Sequence, residues 1–309
     1  MLYIKQFLAL LVIASITMTC KNKERKKQEC VTETTVKDII DEDYELHKSS
    51  QNANAVLVLF GGFPETAKDI KREFKILESA KDHNISVLYM NYSRKIWLEQ
   101  NELSQLSEQL QHIFKANTLP SDNVYIGGFS SGGNVTLLLS DFMTNLPSTI
   151  IPKGVFIVDS PVDLVALYNT AQKNVERHFS DSAVEESTWL LETLGTKFGN
   201  PNDSISSYEK YAVFTSKTNN INTIKNLKHT KVRLYTEPDT LWWNENTMAK
   251  YEDLNAFYIK KLSETLQTLQ FKDVAYIATK DKGYRSNGDR HPHSWAIVDI
   301  QDLIDWMLK

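Results

Sequence analysis

The chain has 309 residues, enough for one large α/β domain, or two small ones, with a sizeable core. Its formal net charge is −4 and no long basic face offsets this, which excludes the electrostatic footprint of a nucleic-acid binder. Both cysteines, Cys20 and Cys30, lie in the N-terminal segment, so the rest of the chain has no disulfide framework, cysteine-ligated metal site or cysteine nucleophile.

Residues 1–19 carry Lys5 and then an apolar run from Phe7 to Ile16. The run is too short for a comfortable membrane span and has the shape of a signal-peptide core. Thr17-Met18-Thr19 leads into Cys20, and the chain then turns abruptly polar through Lys21-Asn22-Lys23-Glu24-Arg25-Lys26-Lys27. A cysteine directly after an apolar core resembles the lipidation site of bacterial lipoproteins. That resemblance implies export, a lipid anchor on Cys20 and a place in the bacterial cell envelope, on the periplasmic side or the surface. An ordinary signal peptide and an uncleaved N-terminal anchor are the alternatives. Residues 20–34 read as a charged, flexible tether in which Cys30 has no assigned role, and residues 35–309 as the folded domain.

Tyr44-Glu45-Leu46-His47 marks a short early strand. Residues 55–60 (Ala-Val-Leu-Val-Leu-Phe) form a run apolar on both faces, as in a parallel sheet, and enter Gly61-Gly62-Phe63-Pro64. A helix follows from about 65 to 82, with Ile70, Phe74 and Leu77 inward. Residues 85–92 form the next strand, and Leu103, Leu106, Leu110, Ile113 and Phe114 mark another helix. An apolar run from Val124 then leads into Gly127-Gly128-Phe129-Ser130-Ser131-Gly132-Gly133-Asn134, followed by a helical stripe of Val135, Leu138, Leu139 and Phe142. Residues 154–158 are a further strand, ending at Asp159-Ser160-Pro161. From 162 to about 227 the strand signal vanishes. A segment this long between two sheet strands reads as a helical cap over a cleft. The sheet resumes at 231–236 and is followed by Glu237-Pro238-Asp239; a long helix spans about 248–269, and 274–278 is the last strand. The loop from 280 to 292 leads to His293-Ser294-Trp295 and a final helix carrying Ile300, Leu303, Ile304 and Met307. Strands alternating with helical patterns predict βαβ units and a mainly parallel sheet, whose ligands sit at the carboxyl ends of the strands.

Gly128-x-Ser130-x-Gly132 between a strand and a helix has the spacing of a nucleophile elbow, a sharp turn that pushes a serine hydroxyl above the sheet. The same pattern arises by chance, and glycine-rich loops before helices also bind phosphate. Here no lysine occupies the Walker position and no Gly-x-Gly-x-x-Gly is present. No His-x-x-x-His or clustered carboxylate pattern points to a metal.

The ordered set of a glycine turn at Gly61-Gly62-Phe63, Gly128-Phe129-Ser130-Ser131-Gly132, Asp239 after a late strand and His293 after the last strand resembles the α/β-hydrolase superfamily over residues 55–309. The resemblance implies a mostly parallel central sheet flanked by helices, with the helical cap inserted at 162–227. It also implies a serine hydrolase that needs no cofactor and cleaves a small carboxylic ester through an acyl-enzyme on Ser130. Carried over residue by residue, His293 is the general base and Asp239 orients it. The backbone amides of Ser131 and of Gly62 or Phe63 hold the oxyanion. His291 is the rival base, and Asp159 and Asp163, after the strand following the elbow, are the rival acids. Asp239 is preferred because the late-strand position is the commoner one in the family. Trp242 and Trp243 wall an acyl or alcohol pocket, or else pack the base of the long helix. Arg285 and Arg290 in the histidine loop either attract an anionic substrate or are solvated charges. A peptidase, a carbohydrate-ester hydrolase and a non-catalytic binding lipoprotein of the same fold are the competing readings.

Overall fold

A computed structural model of the chain describes residues 38–49, 52–93, 95–146 and 150–309. The expected signal segment, Cys20, the expected tether and Cys30 lie outside these residues. Strands β1 (Ile39–Ile40), β2 (Tyr44–His47), β3 (Ala55–Phe60), β4 (Ile85–Met90), β5 (Val124–Phe129), β6 (Gly154–Val158), β7 (Lys231–Thr236) and β8 (Asp273–Ala278) form one sheet. Its order is β1-β2-β4-β3-β5-β6-β7-β8. The β1–β2 and β2–β4 pairings are antiparallel, and every other pairing is parallel.

The helices are α1 (Ala67–Glu73), α2 (Leu77–Asp82), α3 (Gln100–Ala116), α4 (Ser131–Thr144), α5 (Leu164–Arg177), α6 (Asp181–Phe198), α7 (Ile205–Glu209), α8 (Thr240–Thr247), α9 (Asn255–Thr268) and α10 (Ile300–Leu308). They cover both faces of the sheet. Alternate residues of β3 divide between two cores. Val56, Val58 and Phe60 join one with side chains of α3, α4 and α9. Ala55, Leu57 and Leu59 join the other with α1 and α10. This two-sided burial is why the central strands read as unbroken apolar runs rather than alternating ones. Helix α4 lies so deep that twelve of its fourteen residues are buried.

Between β6 and β7 the chain forms α5, α6 and α7, with a core of their own built on Leu164, Leu190, Leu194, Phe198 and Tyr208. Trp97, from the segment before α3, joins this core.

Two helices differ from the periodicity. The stretch 65–82 is not one helix but two, because Phe74 leaves helical geometry at φ −107°, ψ 87°. Its ring is recruited to stack on Trp295 at 4.7 Å. The predicted helix over 248–269 begins only at Asn255. Met248 sits in the left-handed region at φ 56° and ends α8, and the intervening Asp253 carboxylate is drawn to Lys173 at 2.6 Å and Arg177 at 2.7 Å on α5. In both cases a long-range contact overrides the local helical preference.

Candidate active site

Ser130 sits between β5 and α4 at φ 51°, ψ −126°, a conformation that an L-residue holds only where its surroundings enforce it. Its amide donates to the Val158 carbonyl of the neighbouring strand at 2.9 Å, and its carbonyl accepts the Gly133 amide at 3.0 Å. Two glycines make the turn possible. A Cβ on Gly128 would lie 2.2 Å from the Gly132 carbonyl oxygen, and one on Gly132 would lie 2.4 Å from the Phe60 and Gly61 carbonyl oxygens. The contacts are with backbone, which cannot move aside. The serine is half-buried between the buried Phe129 and Ser131. It caps a fourteen-residue helix whose first amides lack intrahelical acceptors and whose dipole is positive at this end.

His293 follows β8 in the chain, and its Nδ1 lies 2.6 Å from Asp159 Oδ2. Asp159 follows β6 directly, is 6% exposed, and takes φ 46°. Its other oxygen accepts the Thr236 hydroxyl at 2.7 Å. A carboxylate at Nδ1 places the imidazole proton there and leaves Nε2 with a free lone pair, the form a general base needs. The Phe129 ring, adjacent in sequence to Ser130, lies 4.5 Å from the imidazole.

The structure thus pairs His293 with Asp159 rather than with Asp239, the acid expected after the late strand. Asp239 is not at His293. One of its oxygens caps α8 by accepting the Trp242 amide at 3.0 Å, and the other pairs with Arg290 at 2.6 Å. Arg290 also meets the buried Glu237 at 2.5 Å, while Glu237 Oε2 accepts the Thr279 hydroxyl and the Lys282 and Gly283 amides. Both acids after β7 thus pin the histidine loop in place. Asp163 is likewise structural: it caps α5 through the Val165 and Ala166 amides, both at 3.0 Å, and accepts the Ser216 amide at 2.7 Å.

The turn after β3 faces the serine, since a Cβ on Gly62 would lie 2.9 Å from Ser130 Cβ. Its two candidate donors differ. The Gly62 amide is taken by the Glu65 carboxylate at 2.9 Å, so Gly62 is not a donor to the serine side of the turn. The Phe63 amide donates to the Ser131 hydroxyl at 3.0 Å, beside the residue after the nucleophile; rotation of that hydroxyl frees the amide, whereas the Glu65 carboxylate on Gly62 is also held by the Trp295 indole.

No protein-family model matches the sequence, and no curated protein matches it. Solved structures do match. A candidate esterase of Staphylococcus aureus superposes with a TM-score of 0.51 at 12% identity, covering 93% of this chain and 85% of the other. The Francisella virulence factor BioJ gives 0.51 at 13%, covering 88% and 83%. An esterase of Rhizomucor miehei gives 0.51 at 12%, covering 88% and 82%. The chain has the α/β-hydrolase fold.

On this hydrolase fold the remaining predicted residues fall beside the histidine loop. Trp242 and Trp243, both in α8, meet edge to face at 5.0 Å, and the His291 ring lies 4.9 Å from the first and 5.8 Å from the second. His291 is not the partner of Asp159. Its Nδ1 donates to the His293 carbonyl at 3.0 Å, and burial, helped by nearby Arg285, pushes its pKa down to about 4. Above the turn, the Phe63 ring stacks on Trp189 of α6 at 5.4 Å and 10°. Trp189 was legible only as part of an apolar stripe. Glu65 had no signal beyond its place after the glycine turn, because its partner Trp295 lies 230 positions away. Among the described residues, no group of three or more His, Cys, Asp or Glu is placed to hold a metal ion.

Proposed function

We propose that the chain is a serine hydrolase that cleaves a carboxylic ester through an acyl-enzyme on Ser130. The observation that carries this reading is the 2.6 Å contact of His293 Nδ1 with buried Asp159, in a loop packed against the residue preceding the elbow serine. His293 Nε2 takes the Ser130 proton as Oγ bonds to the carbonyl carbon. The tetrahedral intermediate collapses as Nε2 passes that proton to the leaving alkoxide. Water then attacks the acyl-serine, giving its proton to Nε2, and the acid departs with Ser130 Oγ reprotonated. Asp159 holds the tautomer and stabilises the imidazolium. The Ser131 and Phe63 amides are the donors for the oxyanion, each typically contributing about 10²–10³ in turnover in such sites. Esterases are among the solved structures that share this fold.

The test is labelling with a fluorophosphonate probe, read by intact mass and peptide mapping. The expected adduct is one per chain on Ser130, abolished by Ser130→Ala. A folded wild-type protein that stays unlabelled, and that turns over no p-nitrophenyl ester of any acyl length, would overturn the reading.

A further inference from the structure

The glycine turn after β3 has to hold the Phe63 amide still while charge builds on the substrate, yet a turn beginning with two glycines is intrinsically soft. What stiffens it is a side chain outside the triad. Glu65 Oε2 accepts the Gly62 amide at 2.9 Å, and the Glu65 amide returns a bond to the Gly62 carbonyl at 2.6 Å. The same carboxylate oxygen accepts the indole N–H of Trp295 at 3.1 Å. Trp295 is two residues beyond His293 and 1% exposed. Its ring stacks on Phe74 and sits 5.5 Å from Phe129, so it is a rigid post. Gly61 leaves room for the arrangement, since a Cβ there would approach Glu65 Cβ to 2.7 Å.

We propose that Glu65 is a positioning residue: its carboxylate ties the turn that carries the Phe63 amide to the loop that carries His293, and so keeps oxyanion donor and base in register. This rests on the serine-hydrolase reading above. The carboxylate is an expensive choice for a purely structural tie. Burial pushes its pKa up, the cost of keeping a carboxylate away from water. A carboxylate oxygen, however, accepts two N–H groups from different directions at once. Both donors are occupied by Glu65, so the contribution expected is to turnover rather than to binding.

The experiment compares Glu65→Ala, Glu65→Gln and Trp295→Phe in steady-state hydrolysis of a p-nitrophenyl ester well below each variant's melting temperature. Glu65→Ala is expected to lower kcat by about 10–10²-fold, short of the loss of a whole oxyanion donor, and to move KM by less than about threefold. Glu65→Gln keeps an amide oxygen for the two donors and should recover most of kcat. Trp295→Phe preserves the ring packing, removes one donor, and should lower kcat severalfold. Wild-type kcat in Glu65→Ala, or a rise in KM with kcat unchanged, overturns the proposal. If Glu65→Ala does not fold, Trp295→Phe decides alone: wild-type kcat there overturns it. Fluorophosphonate labelling of the wild type separates the two hypotheses. A labelled wild type with unaffected variants refutes the role of Glu65 and leaves Ser130 as nucleophile, whereas an unlabelled wild type removes the foundation of both.

Discussion

Two aspartates compete for the orienting role, and one pair of substitutions separates them. Asp159→Asn is the informative change because asparagine tolerates the left-handed backbone at φ 46°, and the Thr236 hydroxyl can still donate to its amide oxygen. The fold should therefore survive. What changes is the contact to His293. If the amide nitrogen faces Nδ1, it donates where a carboxylate accepted, and the imidazole proton moves to Nε2, the atom that must receive the serine proton. If the amide oxygen faces Nδ1 instead, the tautomer holds but the negative charge that stabilises imidazolium is gone. In a triad of this kind the loss is about 10⁴-fold in kcat, equivalent to about 5.4 kcal/mol of transition-state stabilisation. Asp239→Asn touches neither step. It weakens an N-cap and an ion pair with Arg290, which keeps Glu237 as a second partner at 2.5 Å. A neutral residue that still caps costs about 1 kcal/mol or less in stability, with kcat within a few-fold of wild type. The assay is p-nitrophenyl ester turnover beside thermal unfolding. Full turnover in Asp159→Asn, or a 10⁴-fold loss confined to Asp239→Asn, would refute the assignment.

Gly128→Ala places a methyl group 2.2 Å from a backbone carbonyl and should prevent the elbow from closing. The expected result is a fall in melting temperature corresponding to at least about 1–3 kcal/mol, or loss of soluble protein. His291 supplies a pH-dependent term. The unfolded chain binds a proton at this residue below about 6.5, whereas the folded chain does so only near its depressed value of about 4. Stability contributed by the neutral ring is therefore complete above pH 6.5 and lost as pH falls toward 4, by at most about 3 kcal/mol. His291→Phe should flatten the melting-temperature profile in that window, and an unchanged slope would count against the burial argument.

Most of the fold could be read from the chain because its signals are local. The unbroken apolar runs at β3 and β6, the Gly128-x-Ser130-x-Gly132 turn and the stripe of α10 each state their conformation within a few residues. The break at Phe74 and the late start of α9 could not be read, since the contacts that accompany them, Phe74 with Trp295 and Asp253 with Lys173 and Arg177, join residues distant in sequence. The same distinction governs the site. Ser130 is marked by its own neighbours, as steric crowding at a tight turn admits only glycine on either side. The acid carries no such mark. Asp159, Asp163 and Asp239 all occupy loops at strand carboxyl ends, and family frequency favours the last. The fold reverses that choice by placing Asp159, after β6, at His293 Nδ1; β6 lies beside β5, and β7 one strand farther from the elbow. The charge partners complete the assignment. Arg290 neutralises Asp239 and backbone amides occupy Asp163, which leaves Asp159 as the carboxylate facing His293. A carboxylate's role depends on which donors surround it, and those donors are brought together only when the chain has folded.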